Sequence, residues 1–213
     1  MAIQPALGIL EVNGFTPGIV ALDAMEKAAG IRVLQAELND FLGVVLKIQG
    51  PVDSVRTAID VGHRIADQMH GGPRSTVLPR PDERAWPALE SRVEFNPLIQ
   101  QDVVHLPRTS NSPEQPSEGA AVANPSFALG FIETQGFTAV FEAIDTACKA
   151  ANVEVLGKEK LGGGFVTVVI KGDVAAVNSA IESGKAKVEG LGKLIAAHVI
   201  PRPSESVMAL LPK

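Results

Sequence analysis

Hydrophobic and polar residues alternate from residue 165 to residue 171, in the stretch FVTVVIK, and this pattern predicts a β-strand. Three consecutive glycines, 162–164, come just before it. A glycine-rich phosphate-binding loop follows a strand and opens a helix, whose N-terminal N–H groups hold the anion. Because a strand follows these glycines instead, they need a different explanation.

The whole pattern of elements occurs twice in the chain. The segment PALGILEVNGFTPGIVALDAMEKAAGIRVL returns as FALGFIETQGFTAVFEAIDTACKAANVEVL, without a gap. A constant offset of 122 residues relates Ala6 to Ala128 and Pro81 to Pro203. The sequence therefore predicts two fused copies of one domain.

Each copy predicts the element order βαββαβ. In the first copy, strands are expected near 6–13, 31–38 and 43–49, and a helix near 16–29. A second helix begins after the turn at Gly50, or at Gly172 in the second copy, and a last strand ends at PRP. Because each strand has one polar face, we expect one antiparallel four-stranded sheet with both helices on its other face. The predicted fold class is α/β of the α+β type, with two tandem ferredoxin-like domains.

Apolar stripes define the inner faces of the predicted helices. In the first helix the stripe is Ile19, Leu22, Met25 and Ala29, matched by Phe141, Ile144, Cys148 and Ala151. In the second helix it is Val52, Val55, Ile59, Ala66 and Met69, matched by Val174, Val177, Ile181, Val188 and Leu191. Gly62 and Gly184 lie mid-helix at equivalent positions, which predicts close helix packing there.

The domain boundaries follow from the repeat. The first domain is predicted at 1–82, a linker at 83–126 and the second domain at 127–213. The first half of the linker contains the only tryptophan, Trp86, and enough apolar residues to pack on a domain surface. Its second half is small, polar and proline-containing, as flexible linkers are.

Composition narrows the classes of function. The net charge is −5 and the 19 Lys and Arg residues are scattered, so we expect no nucleic acid partner. No stretch of about 18 apolar residues predicts a membrane span, and no signal peptide is evident, so we expect a cytoplasmic protein. The single cysteine, Cys148, excludes an intrachain disulfide framework, and its helical surroundings predict a packing role.

With the residues laid out in this way, the chain resembles the shell proteins of bacterial microcompartments, in particular the tandem-domain, trimeric kind without circular permutation. The second copy carries the resemblance in ALGFIETQGF, AIDTACKAANVEV, KEKLGGGFVTVVIKGDVAAVNSAIESG and HVIPRP. The first copy keeps ALGILEVNGF, ALDAMEKAAG and LPRP but has LNDFLG in place of the glycine loop. The resemblance implies a structural shell protein in which three chains form a pseudo-hexamer.

The resemblance also implies a role for the glycines. In this family the loop between the second and third strands lines a central pore, where backbones converge and side chains would fill the opening. The residues expected to line the pore are Asn39, Asp40 and Phe41 in the first copy and Leu161, Gly162, Gly163 and Gly164 in the second. An inward Phe41 would form an apolar constriction, whereas an inward Asp40 would favour cations, and the sequence leaves both open together with a third arrangement in which neither residue lines the pore.

The resemblance further implies tiling of discs edge to edge. A lysine near the end of the first helix and the arginine of PRP make these contacts in the family, and they match Lys27 and Lys149, and Arg80 and Arg202. The partners implied are other copies of the chain, other hexameric and pentameric shell proteins, enclosed enzymes, and small metabolites passing the pore. The histidine that follows PRP in the family is Asp82 in one copy and Ser204 in the other.

We expect no catalysis, cofactor or metal. Some tandem shell proteins hold an iron–sulfur cluster at the pore, but no cysteine lies in either loop here. His63 and His70 are two helical turns apart, too far to share a metal ion. An alternative reading of paired βαββαβ domains is a small-molecule sensor, although such a protein has no need for backbones that converge on an axis.

Overall fold

The computed structural model describes residues 5–39, 42–89 and 127–211, and the structural statements below refer to these residues. Asp40, Phe41 and most of the linker lie outside them. No helix in these ranges is long and apolar enough to span a membrane.

Each copy forms one lobe with the predicted βαββαβ order. The first lobe contains β1 (Ala6–Asn13), α1 (Phe15–Ala28), β2 (Arg32–Asn39), β3 (Gly43–Gly50), α2 (Val52–Gln68) and β4 (Arg74–Leu78). A 3₁₀ turn (Glu83–Ala85) and the short α3 (Trp86–Leu89) follow it. The second lobe contains β5 (Ala128–Gln135), α4 (Phe137–Ala150), β6 (Glu154–Gly162), β7 (Phe165–Gly172), α5 (Val174–Lys185), β8 (Lys193–Ile200) and the short α6 (Glu205–Ala209).

Both sheets are antiparallel and have the same strand order. The order is β2-β3-β1-β4 in the first lobe and β6-β7-β5-β8 in the second. The registers correspond, since Ala6 pairs with Gly50 in one lobe and Ala128 with Gly172 in the other. The predicted fold class is therefore confirmed.

The mid-helix glycines lie where the two helices of each lobe meet. A Cβ added to Gly62 would lie 2.6 Å from Cγ of Met25 on α1, and one added to Gly184 would lie 2.7 Å from the carbonyl oxygen of Ala143 on α4. The prediction of close helix packing is confirmed, because a side chain at either position would occupy space that the neighbouring helix already fills.

The apolar stripe predicted for α4 does not coincide with the buried side of the helix. Its buried residues are Ala139, Val140, Ala143 and Ala147. Cys148 is exposed, so the expected packing role is also wrong. The residue equivalent to Met25 is Ala147, and Cys148 corresponds to Glu26, at the edge of the buried face.

The second helix of the second lobe is shorter than its apolar stripe predicts. α5 ends at Lys185, so Val188 and Leu191 lie in the following turn rather than on the helix. Val188 is buried there, whereas Leu191 is exposed, and Val174 at the start of α5, which the stripe also placed on the inner face, is exposed as well. Gly190, with φ of +81°, and Gly192 lie in this segment, and glycine favours a turn over a continued helix.

The two lobes join head to tail. The first lobe's α1 packs on the face of the second sheet that α4 and α5 leave open, against β5, β8 and α6. One core cluster runs through this seam, from Phe15 and Ile19 of α1 to Phe131 and Leu210 of the second lobe. We call this contact the intrachain seam.

The intrachain seam changes the predicted polarity of the second sheet. Phe131 and Thr167, which lie on the supposed polar face of β5 and β7, are buried. The prediction of one polar face is therefore wrong for the second sheet, because α1 covers that face.

Candidate functional site

The two loops expected to line a pore lie next to each other. A Cβ added to Gly163 would lie 2.9 Å from Cδ2 of Leu42, and one added to Gly162 would lie 3.9 Å from the same atom. The tips of the β2–β3 and β6–β7 hairpins therefore meet within one chain. Asp40, Phe41 and the side chain of Asn39 lie outside the described residues.

Backbone conformation accounts for glycine in the second loop. Gly162, Gly163 and Gly164 all have positive φ, of 87°, 54° and 83°. Glycine adopts this region without the steric cost that a Cβ imposes. Leu42, which is equivalent to Gly164, also has positive φ, 63°, so the first loop makes the same turn with a residue that is strained there.

Backbone hydrogen bonds hold both loops against their own lobes. The N–H of Gly136 donates to the carbonyl of Gly164 over 2.9 Å, and the N–H of Gly14 donates to that of Leu42 over 2.7 Å. The side-chain amide of Gln135 also donates to the Gly163 carbonyl over 3.2 Å. Each loop is thus tied to the junction between the first strand and first helix of its lobe.

Leu161 differs from the three glycines that follow it. Its side chain is partly buried against the core cluster that the lobes share, whereas Gly162, Gly163 and Gly164 are exposed. Among the residues predicted in this loop, the glycines present the accessible surface.

The two lysines predicted at the tile edge make equivalent ion pairs. Lys27 Nζ lies 2.5 Å from a carboxylate oxygen of Asp23, and Lys149 Nζ lies 2.5 Å from one of Asp145. Hydrogen bonding to Asp145 raises the pKa of Lys149. Asp23 is buried and also accepts from the N–H of Ser204, so Lys27 is tied to the intrachain seam, while Lys149 remains on an exposed surface.

Lys27 and Arg202 come together although they belong to different copies. They line one open groove of about 450 Å³ with Glu26, Pro201, Pro203 and Ser204. This groove is composite, since α1 of one lobe and the PRP turn of the other both contribute to it. The constant offset of the repeat did not reveal this pairing.

Arg80 lies in a second groove of about 450 Å³ with Pro81, Asp82, Glu83 and Arg84. Asp82 binds Arg84 through an ion pair of 2.9 Å, and hydrogen bonds from Arg84 lower the pKa of the Asp82 carboxyl. Two residues that replace the family's histidine after PRP thus have defined contacts, Asp82 with Arg84 and Ser204 with Asp23.

Glu133 on β5 makes a polar contact between the two lobes. Its carboxylate is fully buried and accepts from the N–H groups of Phe15 and Thr16, over 2.9 and 2.8 Å, at the N-terminus of α1 in the other lobe. Burial raises the pKa of the Glu133 carboxyl above its ordinary value of 4.5, while the two N–H groups act in the opposite direction. The carboxylate satisfies two donors that the helix cannot, and its charge is favourable at this end of the helix.

We expect Glu133→Gln to alter the pH dependence of folding. Since the folded pKa is raised, the proton's contribution to stability is present below about pH 4.5, the ordinary value, and is lost as the pH rises through the folded pKa. We compare the free energy of unfolding of the wild type with that of the variant. The difference, wild type minus variant, should fall as the pH rises from about 4.5 to the folded pKa of Glu133, and should stay constant above it. Denaturant titrations at several pH values measure it, and a difference that does not vary with pH would contradict the prediction.

One cavity inside the intrachain seam is too small for a ligand. A cavity lined by Phe15, Ile19, Leu38 and Leu210, among others, has a volume of about 10 Å³. Small-molecule sites are typically about 300–1,000 Å³. This cavity therefore does not support the interpretation of the protein as a small-molecule sensor. Within the described ranges, no group of three or more His, Cys, Asp or Glu residues is arranged to hold a metal ion.

Both lobes match a known domain family. The BMC domain matches twice, at residues 6–81 and 128–203, which are the two lobes without the segments that follow their PRP turns. The chain therefore belongs to the BMC domain family, in a tandem arrangement.

Particular relatives are shell and assembly proteins. The chain is 50% identical over 86 residues to the bacterial microcompartment shell protein PduA of Citrobacter freundii, covering 40% of this chain and 92% of that one. It is 30% identical over 208 residues to the carboxysome assembly protein CcmO of Synechococcus elongatus, covering 98% of this chain and 69% of that one. A solved microcompartment protein from Desulfitobacterium hafniense DCB is 26% identical, with 96% and 98% coverage and a TM-score of 0.38.

Proposed function

We propose that this chain is a structural shell protein of a bacterial microcompartment and that three copies close into a flat pseudo-hexameric ring. The observation that carries the proposal is the head-to-tail seam between the lobes. α1 is covered by the second sheet, whereas α4 has no equivalent cover within the described part of the chain, where Phe137 and Phe141 are 43% and 44% exposed. A head-to-tail contact of this kind closes a ring when it is repeated around an axis.

The hairpin loops would line the opening of this ring. Leu42 and Gly163 already meet within one chain, which supports a ring of six loops that alternate between the two kinds. Three exposed glycine loops give a backbone-lined surface, and the first-copy loops add Asp40 and Phe41, whose side chains would decide between a cation-favouring and an apolar passage. Small metabolites would cross the shell here.

The grooves at the outer edge would join neighbouring rings. Lys27 and Arg202 already share one groove, and Lys149 would share the equivalent groove with Arg80 of the next copy. Both arginines are exposed, as a contact between tiles requires. The partners at this edge would be further copies of the chain and other hexameric or pentameric shell proteins.

The proposed role involves no catalysis. The relatives named above carry shell and assembly names, and none of those names describes an enzyme. The buried carboxylate of Glu133 is engaged by two backbone N–H groups of α1, which gives it a structural duty rather than an acid–base one.

The experiment that tests this function separates ring formation from tiling. Because the chain has a mass of 22.3 kDa, we expect a trimer of about 67 kDa in solution, and two-dimensional sheets at high concentration. Arg80→Glu with Arg202→Glu should leave the trimer folded and abolish the sheets, since exposed charges contribute little to stability. Native mass spectrometry and electron microscopy measure the two steps.

A matched control reverses the same charges away from the proposed edge. Arg56→Glu with Lys187→Glu changes two exposed residues on α2 and after α5, and sheets should persist. A monomer in the wild type would refute the ring, while sheets in the Arg80 and Arg202 variant would refute the edge.

A further inference from the structure

A series of hydrogen bonds connects the Glu133 carboxyl to the loop at Leu42. The two carboxyl oxygens accept from the N–H groups of Phe15 and Thr16, over 2.9 and 2.8 Å, at the start of α1. Gly14, which precedes them, donates its own N–H to the Leu42 carbonyl over 2.7 Å. Gly14 also lies beside the carboxyl, since a Cβ added to it would lie 3.4 Å from Glu133 Oε2. The group that holds the start of α1 therefore also influences where Leu42 lies.

The strand that carries Glu133 also holds the second loop. Gln135, two residues further along β5, donates its side-chain amide to the Gly163 carbonyl over 3.2 Å. The two loops touch, because a Cβ added to Gly163 would lie 2.9 Å from Cδ2 of Leu42. The position of Leu42 relative to Gly163 thus depends on the contact that Glu133 makes between α1 and β5.

The surroundings of the Glu133 carboxyl suit its neutral form. Burial raises the pKa of this carboxyl, while hydrogen bonds from N–H and hydroxyl groups act in the opposite direction. The hydroxyl oxygens of Thr16 and Thr167 lie beside the carboxyl, and they are buried without a well-aligned hydrogen-bond partner within the described ranges. A protonated Glu133 has an O–H group to donate to one of them, whereas the ionised form has none. The buried carboxyl therefore holds its proton more tightly than a hydrated one.

Other titratable groups lie around Glu133 on the elements packed against it. They are Glu159 on β6, His198 on β8 and Asp23 on α1. None of them is among the causes that raise or lower the pKa of Glu133, and Asp23 forms an ion pair with Lys27. Burial lowers the pKa of His198 below its ordinary value of 6.5. A test of pH dependence at this contact must therefore separate Glu133 from His198.

We propose that Glu133 positions the first-copy loop at Leu42 and makes this position sensitive to pH. With the carboxyl protonated, the start of α1 stays on β5 and Leu42 stays against Gly163. Once the carboxyl ionises, opening of the contact brings its charge into water, so the open arrangement gains population and Leu42 moves away from Gly163. The functional meaning rests on the proposed ring, whose opening these loops line, but every contact in the inference lies within one chain.

The direction of the pH effect follows from the raised pKa of Glu133. The proton's contribution to the closed arrangement is fully present below about pH 4.5, the ordinary value, and is lost as the pH rises through the folded pKa. Opening should therefore increase by about tenfold for each pH unit between these two values. Above the folded pKa it should stay constant.

Hydrogen exchange at the Gly14 N–H, which donates to Leu42, measures the opening. Glu133→Gln keeps the shape of the side chain but cannot ionise, and dividing the wild-type rate by the variant's rate at each pH removes the intrinsic pH dependence of exchange. Glutamine accepts from only one of the two N–H groups, which changes this ratio by a constant factor. The ratio should rise with pH up to the folded pKa of Glu133 and then level off. A ratio that does not vary with pH would reveal a structural contact only and would overturn the proposal.

Cysteine labelling follows Leu42 directly and does not require Glu133→Gln to fold. The maleimide reaction rate of Leu42→Cys is compared with that of Leu191→Cys, both made with Cys148→Ser. Leu191 is 46% exposed in the turn after α5, so dividing the two rates removes the pH dependence that thiols share. This labelling ratio should rise with pH over the same window. A constant ratio would contradict the movement of Leu42.

Two controls assign the effect. His198→Gln should leave the rise in the labelling ratio unchanged, and a rise that disappears in this variant would assign the pH dependence to His198 and overturn the role of Glu133. Native mass spectrometry tests the ring separately. A monomeric mass together with a pH-dependent ratio would refute the ring and leave the Glu133 contact standing, whereas a trimer with a constant ratio would refute this inference and leave the ring standing.

Discussion

Phe141→Asp is expected to convert the trimer into folded monomers. The side chain is 44% exposed in the single chain, so an aspartate there stays hydrated and the lobe keeps its fold. In the proposed ring, α4 is covered by the next copy, so the same aspartate would be buried without a partner, which costs several kcal/mol at each of three contacts. Native mass spectrometry should show about 22.3 kDa in place of the trimer, with an unchanged far-ultraviolet circular dichroism spectrum.

Two matched variants show whether the effect belongs to the contact between copies. Ile19→Asp changes the equivalent residue of α1, which is 1% exposed within the chain, so it should unfold the protein rather than only dissociate it. Val174→Asp places the same charge on a residue that is 45% exposed, on α5. The equivalent helix α2 packs on α1 and its own sheet, so this variant should remain trimeric. A trimer that survives Phe141→Asp would exclude α4 from the interface.

The fold was predictable because each element carries its own local signal twice. Alternation in the strands, the turns at Gly50 and Gly172, and the constant offset all indicate the same βαββαβ order, and mid-helix Gly62 and Gly184 indicate close helix packing. Agreement between independent local signals is what makes a fold readable from one sequence.

The wrong predictions concern surfaces whose burial depends on the contact between the two lobes. Apolar periodicity indicates which side of a helix is buried, but α1 is buried on two sides and α4 on one. Cys148 and Phe141 were therefore assigned to an inner face that they do not occupy. The polar face predicted for the second sheet failed for the same reason, because α1 covers Phe131 and Thr167.

The full burial of Glu133 could not be predicted from its own strand, because a glutamate in a strand normally indicates a solvent-facing position. A signal was nevertheless present in the sequence. Glu11 and Glu133 recur at the same strand position, and the helices that follow Gly14 and Gly136 have no acidic residue in their first turns. Together these features indicate a carboxylate supplied from another lobe. The strain at Leu42 has no comparable signal, since a leucine rarely adopts positive φ.

Gly184→Ala is expected to lower the free energy of unfolding of the second lobe by about 3 kcal/mol. The added Cβ would lie 2.7 Å from the carbonyl oxygen of Ala143 and 2.7 Å from Cδ1 of Ile132. The carbonyl belongs to the backbone of α4, so it can retreat only if the helix moves off the sheet. Alanine gains about 1 kcal/mol over glycine in helix propensity, which is smaller than this steric cost.

Gly62→Ala, the matched change in the first lobe, is expected to cost about 1 kcal/mol or less, although its added Cβ is equally crowded. Here the near atoms are Cγ of Met25, at 2.6 Å, and Cδ2 of Leu10, at 2.9 Å. Both belong to side chains, and a methionine with three rotatable bonds can change its rotamer where a helix backbone cannot. Denaturant unfolding in the Phe141→Asp background removes the dependence of stability on trimer concentration and compares the two changes directly. Equal losses of unfolding free energy in the two variants would contradict the prediction. They would mean that the Met25 and Leu10 side chains cannot move away from the added methyl group more easily than the α4 backbone can.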